Sequence, residues 1–331
     1  MSRSHRWLIP GLGLLVAVLL LGSLAIGYAP LDLKAALGDV LAGRQSLPAL
    51  VLLQLRLPRA LLGAAVGFSL GLTGAAMQGL MRNPLADPGI VGVSGAAALG
   101  AVIAFYSGFA NAFALALPLG GLTGAAVATA LLLALARRGG GTTLLILAGV
   151  ALNSLCGALT ALALNLSPSP YAALEIVFWL MGSLADRSLD HVALALPFMV
   201  VGWGLVLATA RGLDALTLGE DTAASLGIPL RRLRLLVIGG TAAAVGASVA
   251  VAGAIGFVGL VVPHLLRPLV GHRPGRLLLA SGLGGAALTL AADIALRLLP
   301  IRPELKLGVV TALIGAPFFL ALLWRLRREA E

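Results

Sequence analysis

The sequence predicts an all-α, polytopic membrane protein, and three observations carry that prediction. The 331 residues are 60% hydrophobic and only 11% charged, with mean hydropathy +1.04, against roughly 25% charged residues in ordinary soluble domains. Apolar runs longer than 18 residues recur along the chain, enough for a helix to cross the ~30 Å hydrocarbon layer. Gly, Ala, Leu and Val dominate those runs, which reads as helices rather than barrel strands. The single cysteine, Cys156, lies inside an apolar run. It excludes a disulfide framework within one chain and any Cys-based metal cluster, and reads as a small packing residue.

Taken in order, Arg3, His5 and Arg6 precede the apolar run Trp7 to Tyr28. At about 22 residues it exceeds the usual 7–15 of a signal-peptide core, so it reads as a retained helix. A more polar connection follows, with Asp32, Lys34, Asp39 and Arg44. Further spans are predicted at about 60–81, 90–109, 112–136, 143–166, 191–210, 235–254, 257–270, 277–299 and 306–324, making about ten in one transmembrane domain over 1–331. The eighth is short for a tilted crossing. Gly63, Gly67 and Gly71 lie four apart, and Gly120, Gly121 and Gly124 repeat the theme. Small residues at this spacing let membrane helices approach closely.

Charge orients the bundle. With the N-terminus in the cytoplasm and ten crossings, fifteen of the 23 Lys and Arg fall on the cytoplasmic side and eight on the other, which favours cytoplasmic N- and C-termini. The net charge of +10 therefore reads as membrane orientation rather than nucleic-acid binding, since the basic residues sit at span ends. The polar block 211–234, RGLDALTLGEDTAASLGIPLRRLR, becomes a cytoplasmic loop. Inside it, Thr217 to Gly227 reads as a short helix, with Thr217 as N-cap, Glu220 and Asp221 in the first turn, and Gly227 then Pro229 as the stop. Ala223 and Ala224 give it a side that another protein can approach closely; a solvated connector is the plainer alternative.

Other segments carry narrower signals. No G-x-x-x-x-G-K-[ST] phosphate loop occurs, so an ATP-driven role needs a partner. His5, His191, His264 and His272 are dispersed without ligand spacing, and no metal site or catalytic residue is predicted. Arg82-Asn-Pro-Leu-Ala-Asp-Pro-Gly89 holds two prolines four apart and must turn sharply. Asn153, Ser154, Thr160 and Asn165 interrupt the fifth span; polar groups at that depth line a wet cavity or bond across helices. Asp293 and Arg297 are spaced as an i, i+4 pair near the outer interface. After Ser-Pro-Ser-Pro, residues 171–182, with Phe178, Trp179 and Met181, are too short to span and suit an interfacial or re-entrant helix at the outer mouth.

Several segments together resemble one family. RLPRALLGAAVGFSLGLTGAAMQGLMRNPLADPGIVGVSGAAALG, FWLMGSLADRS, LTLGEDTAASLGI, GFVGLVVPHLLRPLVG and LGVVTALIGAPFF are similar, in that order, to the FecCD-type permeases of ATP-binding-cassette importers for ferric siderophores, haem and cobalamin. The resemblance covers essentially the whole chain. It implies the type II importer permease fold, a homodimer around a central pathway, two ATPase subunits below that hold the ATP and Mg, one periplasmic binding protein above, and a bacterial inner membrane around it. The chain itself is then a transport subunit without a bound cofactor. Thr217, Leu218, Gly219, Glu220, Asp221, Ala223, Ala224, Leu226 and Gly227 match the segment that couples to the ATPase. Arg56, Arg59 and Arg297 match the arginines that receive acidic residues of the binding protein, with interfacial anchoring as their alternative. Asn83, Leu85, Thr142 and Thr143 match the cytoplasmic gate. Asn153, Ser154 and Asn165 are pathway candidates. An iron chelate is the expected cargo, with cobalamin as the alternative. An ion-coupled secondary transporter would need an intramembrane carboxylate, and Asp293 is the only acid near a span interior; a membrane-embedded enzyme would need acids and histidines clustered at depth.

Overall fold

The computed structural model describes residues 3–27, 31–109, 113–137, 142–301 and 303–330, which are helical with no strand among them. The helices are α1 (Arg3–Ala25), α2 (Leu33–Leu41), α3 (Leu47–Met81), α4 (Val93–Tyr106), α5 (Ala116–Arg137), α6 (Thr142–Asn165), α7 (Pro170–Leu180), α8 (Leu189–Leu207), α9 (Ala210–Leu216), α10 (Glu220–Ser225), α11 (Leu230–Ala252), α12 (Val258–Leu266), α13 (Pro274–Leu298) and α14 (Leu307–Ala330). Among the described residues, α1, α3, α5, α6, α8, α11 and α13 are long and apolar enough to cross a membrane; α4 and the apolar part of α14, Leu307–Ala321, are shorter.

Helix α3 is the hub. It runs through a π-helical stretch at Val51–Arg56, and 78% of its apolar window is buried by α1, α8, α11, α12 and α13. Lipid supplies no hydrophobic drive between helices, so the bundle is held by close approach. A Cβ on Gly71 would stand 1.9 Å from the Ser281 carbonyl oxygen of α13, and one on Gly285 would stand 2.1 Å from the Gly67 oxygen of α3. The α4–α5 seam has the same construction: a Cβ on Gly124 would meet the Ala96 oxygen at 2.1 Å. On α8, Trp203 packs edge-on against Phe68 at 4.8 Å and donates its indole N–H to Ser69 Oγ at 2.9 Å. α1 is the lipid-facing exception, with 6% of its apolar window buried.

The expected crossing at 257–270 is not made by one helix. α12 has nine residues, a rise of about 14 Å, roughly half the hydrocarbon layer. The cause lies before it: Gly253 (φ 72) ends α11, and the chain runs without helix to Phe257 (φ 66), where α12 starts. Irregular backbone at membrane depth needs protein partners or a wet cavity, and this stretch has both. Ala252 O accepts from Ser183 N at 2.7 Å, Ala254 N donates to Leu180 O at 3.4 Å, and residues Gly253 to Phe257 line the cavity described below.

The short helix expected at 171–182 is α7, capped by Ser169, whose Oγ accepts from Ala172 N at 3.2 Å. Tyr171, Leu174 and Phe178 are exposed along it. Helix directions define two faces. α1 begins, α3 ends, α13 begins and α9–α10 lie at the N-terminal face; the ends of α1 and α13 and the start of α3 meet at the opposite face.

Candidate transport sites

At the N-terminal face, α9 is anchored through Leu213 and Leu216, both buried, and through Asp214, whose Oδ1 accepts from Gly275 N at 2.7 Å. The block 211–234 is thus not one open loop. Thr217 closes α9, donating its hydroxyl to the Asp214 carbonyl at 2.7 Å, so it is not the N-cap of the next helix. That position belongs to Gly219, whose φ of 104 turns the chain into α10. α10 is correspondingly shorter than the expected Thr217–Gly227. Ala223 seats it on the bundle at 0% exposure, and Glu220 is tied to Arg234 at 2.8 Å. Gly227 (φ 82) ends the turn, its N–H donating to Ala224 O at 2.9 Å. Outward stand Asp221 and Ala224, flanked by Leu218 and Leu226, each 62% exposed. Two exposed leucines around an acid and a small residue form a surface suited to a protein partner.

The turn after α3 is built from paired side-chain caps. Asn83 Oδ1 accepts from Leu85 N at 2.9 Å, and Asp87 Oδ1 accepts from Gly89 N at 2.7 Å. These Asx turns reverse the chain where two prolines forbid a helix. Asn83 is exposed and Leu85 half-buried. Burial pushes the Asp87 carboxyl above its ordinary value, and the Gly89 N–H only partly opposes that. Thr142 and Thr143 start α6, but their side chains lie outside the described residues.

A cavity of about 440 Å³ extends from Asp87 between α3, α4, α6 and α11 to the Gly253–Phe257 break. Asn153 and Ser154 line it, with Ser94 and Ser248. Asn165 does not: it sits exposed at the end of α6, more than three turns beyond Asn153. α6 also leaves Leu147, Leu155, Leu159 and Leu162 exposed on the isolated chain.

At the opposite face the three predicted arginines do converge, and each is already held internally. Arg56 is 5% exposed and donates to Leu24 O and Ala25 O at 2.9 and 2.6 Å. Arg297 donates to Ser23 O at 2.8 Å and pairs with Asp293 at 2.9 Å, the expected i, i+4 contact. Arg59 reaches the same Asp293 through Nε and Nη2 at 3.0 and 2.8 Å, and also the Glu304 carboxylate. Asp293, 1% exposed, is therefore neutralised by two guanidinium groups and is no free ion-coupling carboxylate. Glu304 was not singled out from the sequence. Its only local signal is an acid beside Pro303 in the short connection after α13, 245 residues from the arginine it meets. A further cavity of about 440 Å³ opens here, walled by all three arginines together with Arg187, Lys306, Asp186 and Glu304. Arg187 is half-buried in it; desolvation lowers its guanidinium from the ordinary value, with Asp186 partly offsetting.

Comparison with known proteins agrees with this architecture. The profile of the FecCD transport family matches residues 14–325. The vitamin B12 import system permease protein BtuC of Salmonella typhimurium is 41% identical over 331 residues, 99% of this chain and 97% of that protein. The protein of the same name from Klebsiella pneumoniae is 42% identical over 327 residues, 98% and 95% of the two chains. A solved structure described as a metal-chelate type ABC transporter in an inward-facing conformation superposes with a TM-score of 0.83 at 34% identity, covering 96% of this chain and 98% of that one. The chain belongs to the FecCD transport family and is a multi-pass permease of an ABC importer.

Proposed function

We propose that two copies of this chain form the transmembrane pathway of a vitamin B12 importer in a bacterial inner membrane, working with two ATPase subunits and a periplasmic binding protein. The observation that carries the cargo is identity of 41–42% along nearly the full length of permeases named for vitamin B12 import. Cobalamin thus replaces the iron chelate expected from the sequence. The solved metal-chelate transporter at 34% identity keeps ferric chelates as the second reading.

In this reading the N-terminal face is cytoplasmic, in keeping with the excess of Lys and Arg there. α10 with Leu218 and Leu226 meets the ATPase, the Asn83–Leu85 turn with the start of α6 forms the gate, and the cavity lined by Asn153 and Ser154 belongs to the pathway. The chain contributes differential contact with two states of its partners, the only means by which a coupling element moves an equilibrium. Docking at the opposite face proceeds by exchange: a carboxylate of the binding protein takes Arg59 from Glu304, which is 20% exposed, while Asp293 stays in place. Forked guanidinium–carboxylate contacts give such docking its orientation.

Titrating the binding protein captured by the reconstituted permease with cyanocobalamin, a ferric siderophore and haemin tests the cargo. Tight binding of cyanocobalamin alone is expected; binding of a ferric ligand with no response to cyanocobalamin overturns it.

A further inference from the structure

A pocket of about 200 Å³ opens at the N-terminal face where α3 ends, α12 gives way and α13 begins. Arg82, Arg267, His272 and Thr217 stand in its wall, and among the described residues no carboxylate does. Arg267 is half-buried. Its Nη2 donates to Gln78 Oε1, but its Nε is buried with no hydrogen-bond partner among the described residues. Arg59 and Arg297 lose water too, yet each regains a carboxylate. Among the described residues Arg267 regains a neutral amide and no carboxylate. A cation withdrawn from water without a counter-charge is costly, which points to an anion supplied from outside.

The backbone supports a dedicated site. Arg82 (φ 48) and His272 (φ 60) are two of four non-glycine residues at positive φ among those described. Glycine is the unstrained choice there, yet both positions hold side chains that line this pocket. Forked arginine donors suit the oxygens of a phosphate group. The position favours a lipid over a soluble phosphate: Leu265 and Leu269, flanking Arg267, are 55% and 54% exposed. Exposed apolar side chains thus lie beside cations at the ends of the bundle's helices, the arrangement that holds anionic headgroups.

We propose that this pocket binds the phosphate of an anionic lipid headgroup through Arg82 and Arg267, beside Thr217 where the exposed segment leading to α10 begins. The cytoplasmic placement rests on the orientation given above, but lipid retention does not depend on cargo, so the two readings fail separately. The test is native mass spectrometry of the full-length protein given phosphatidylglycerol, phosphatidylcholine or inorganic phosphate. Retention of phosphatidylglycerol over phosphatidylcholine is expected, undiminished by millimolar phosphate. Arg82→Gln, at an exposed side chain that the fold does not need, should weaken retention about fivefold, and Arg82→Gln with Arg267→Gln about 25-fold. Equal retention by wild type and Arg82→Gln overturns the proposal, as does binding of inorganic phosphate without the lipid. Loss of ATPase-subunit binding in Arg82→Gln at unchanged lipid retention also overturns it, and assigns the pocket to a protein carboxylate.

Discussion

Arg59 meets one fixed carboxylate and one movable one, and the difference lies in burial. Asp293 is 1% exposed on α13 and shared with Arg297, whereas Glu304 is 20% exposed in the short connection before α14. Asp293→Ala strands Arg297, 3% exposed, without its carboxylate. Removing one partner of such a buried pair costs about 3–5 kcal/mol, so a clear drop in detergent melting temperature is expected. Glu304→Gln should leave melting nearly unchanged and tighten binding-protein docking roughly three- to tenfold, the equivalent of about 1 kcal/mol. Surface plasmon resonance showing unaltered docking contradicts the exchange. Asp87 makes a pH prediction. Its carboxyl is raised in the folded state, so the folded chain holds a proton that the unfolded chain releases. Stability therefore falls as pH rises from the unfolded to the folded value. Asp87→Asn keeps a side-chain acceptor for Gly89 N and should flatten that slope in melts from pH 4 upward. At this scale the i, i+4 pair of Asp293 and Arg297 was legible because helical spacing brings such residues together. The Arg59–Glu304 contact was not, since 245 residues separate its ends.

Among the elements, long apolar runs announced α1, α3, α5, α6, α8, α11 and α13, because length and hydropathy are all that crossing a bilayer demands. α12 was legible only as a run too short for a tilted crossing; the break before it, at Gly253 and at Phe257 with its positive φ, left no mark in so apolar a stretch. The start of α10 was misplaced for a chemical reason. Threonine is a good cap, but Thr217 spends its hydroxyl on the Asp214 carbonyl of the preceding helix. Two substitutions test the elements. Gly71→Leu places side-chain atoms where Ser281 O already lies 1.9 Å from an added Cβ; α3 and α13 must separate, at about 1–3 kcal/mol or more. Ala224→Arg sits on the exposed side of α10 and should leave melting unchanged while reducing ATPase copurification by about tenfold or more, as a charge forced into a close interface does.

The whole molecule combines a hub helix packed through glycines, a half-length helix beside an unwound stretch, and a small exposed helix at one face. The unwound stretch and α6 border the same cavity, so in the proposed cycle a movement of α10 has a short mechanical route, through α11, to that cavity. The most direct test is accumulation of radiolabelled cyanocobalamin in proteoliposomes holding this chain, its ATPase and its binding protein. ATP-dependent accumulation that Ala224→Arg abolishes is the predicted result. Accumulation that proceeds without ATP or the ATPase, or that Ala224→Arg leaves intact, contradicts the account.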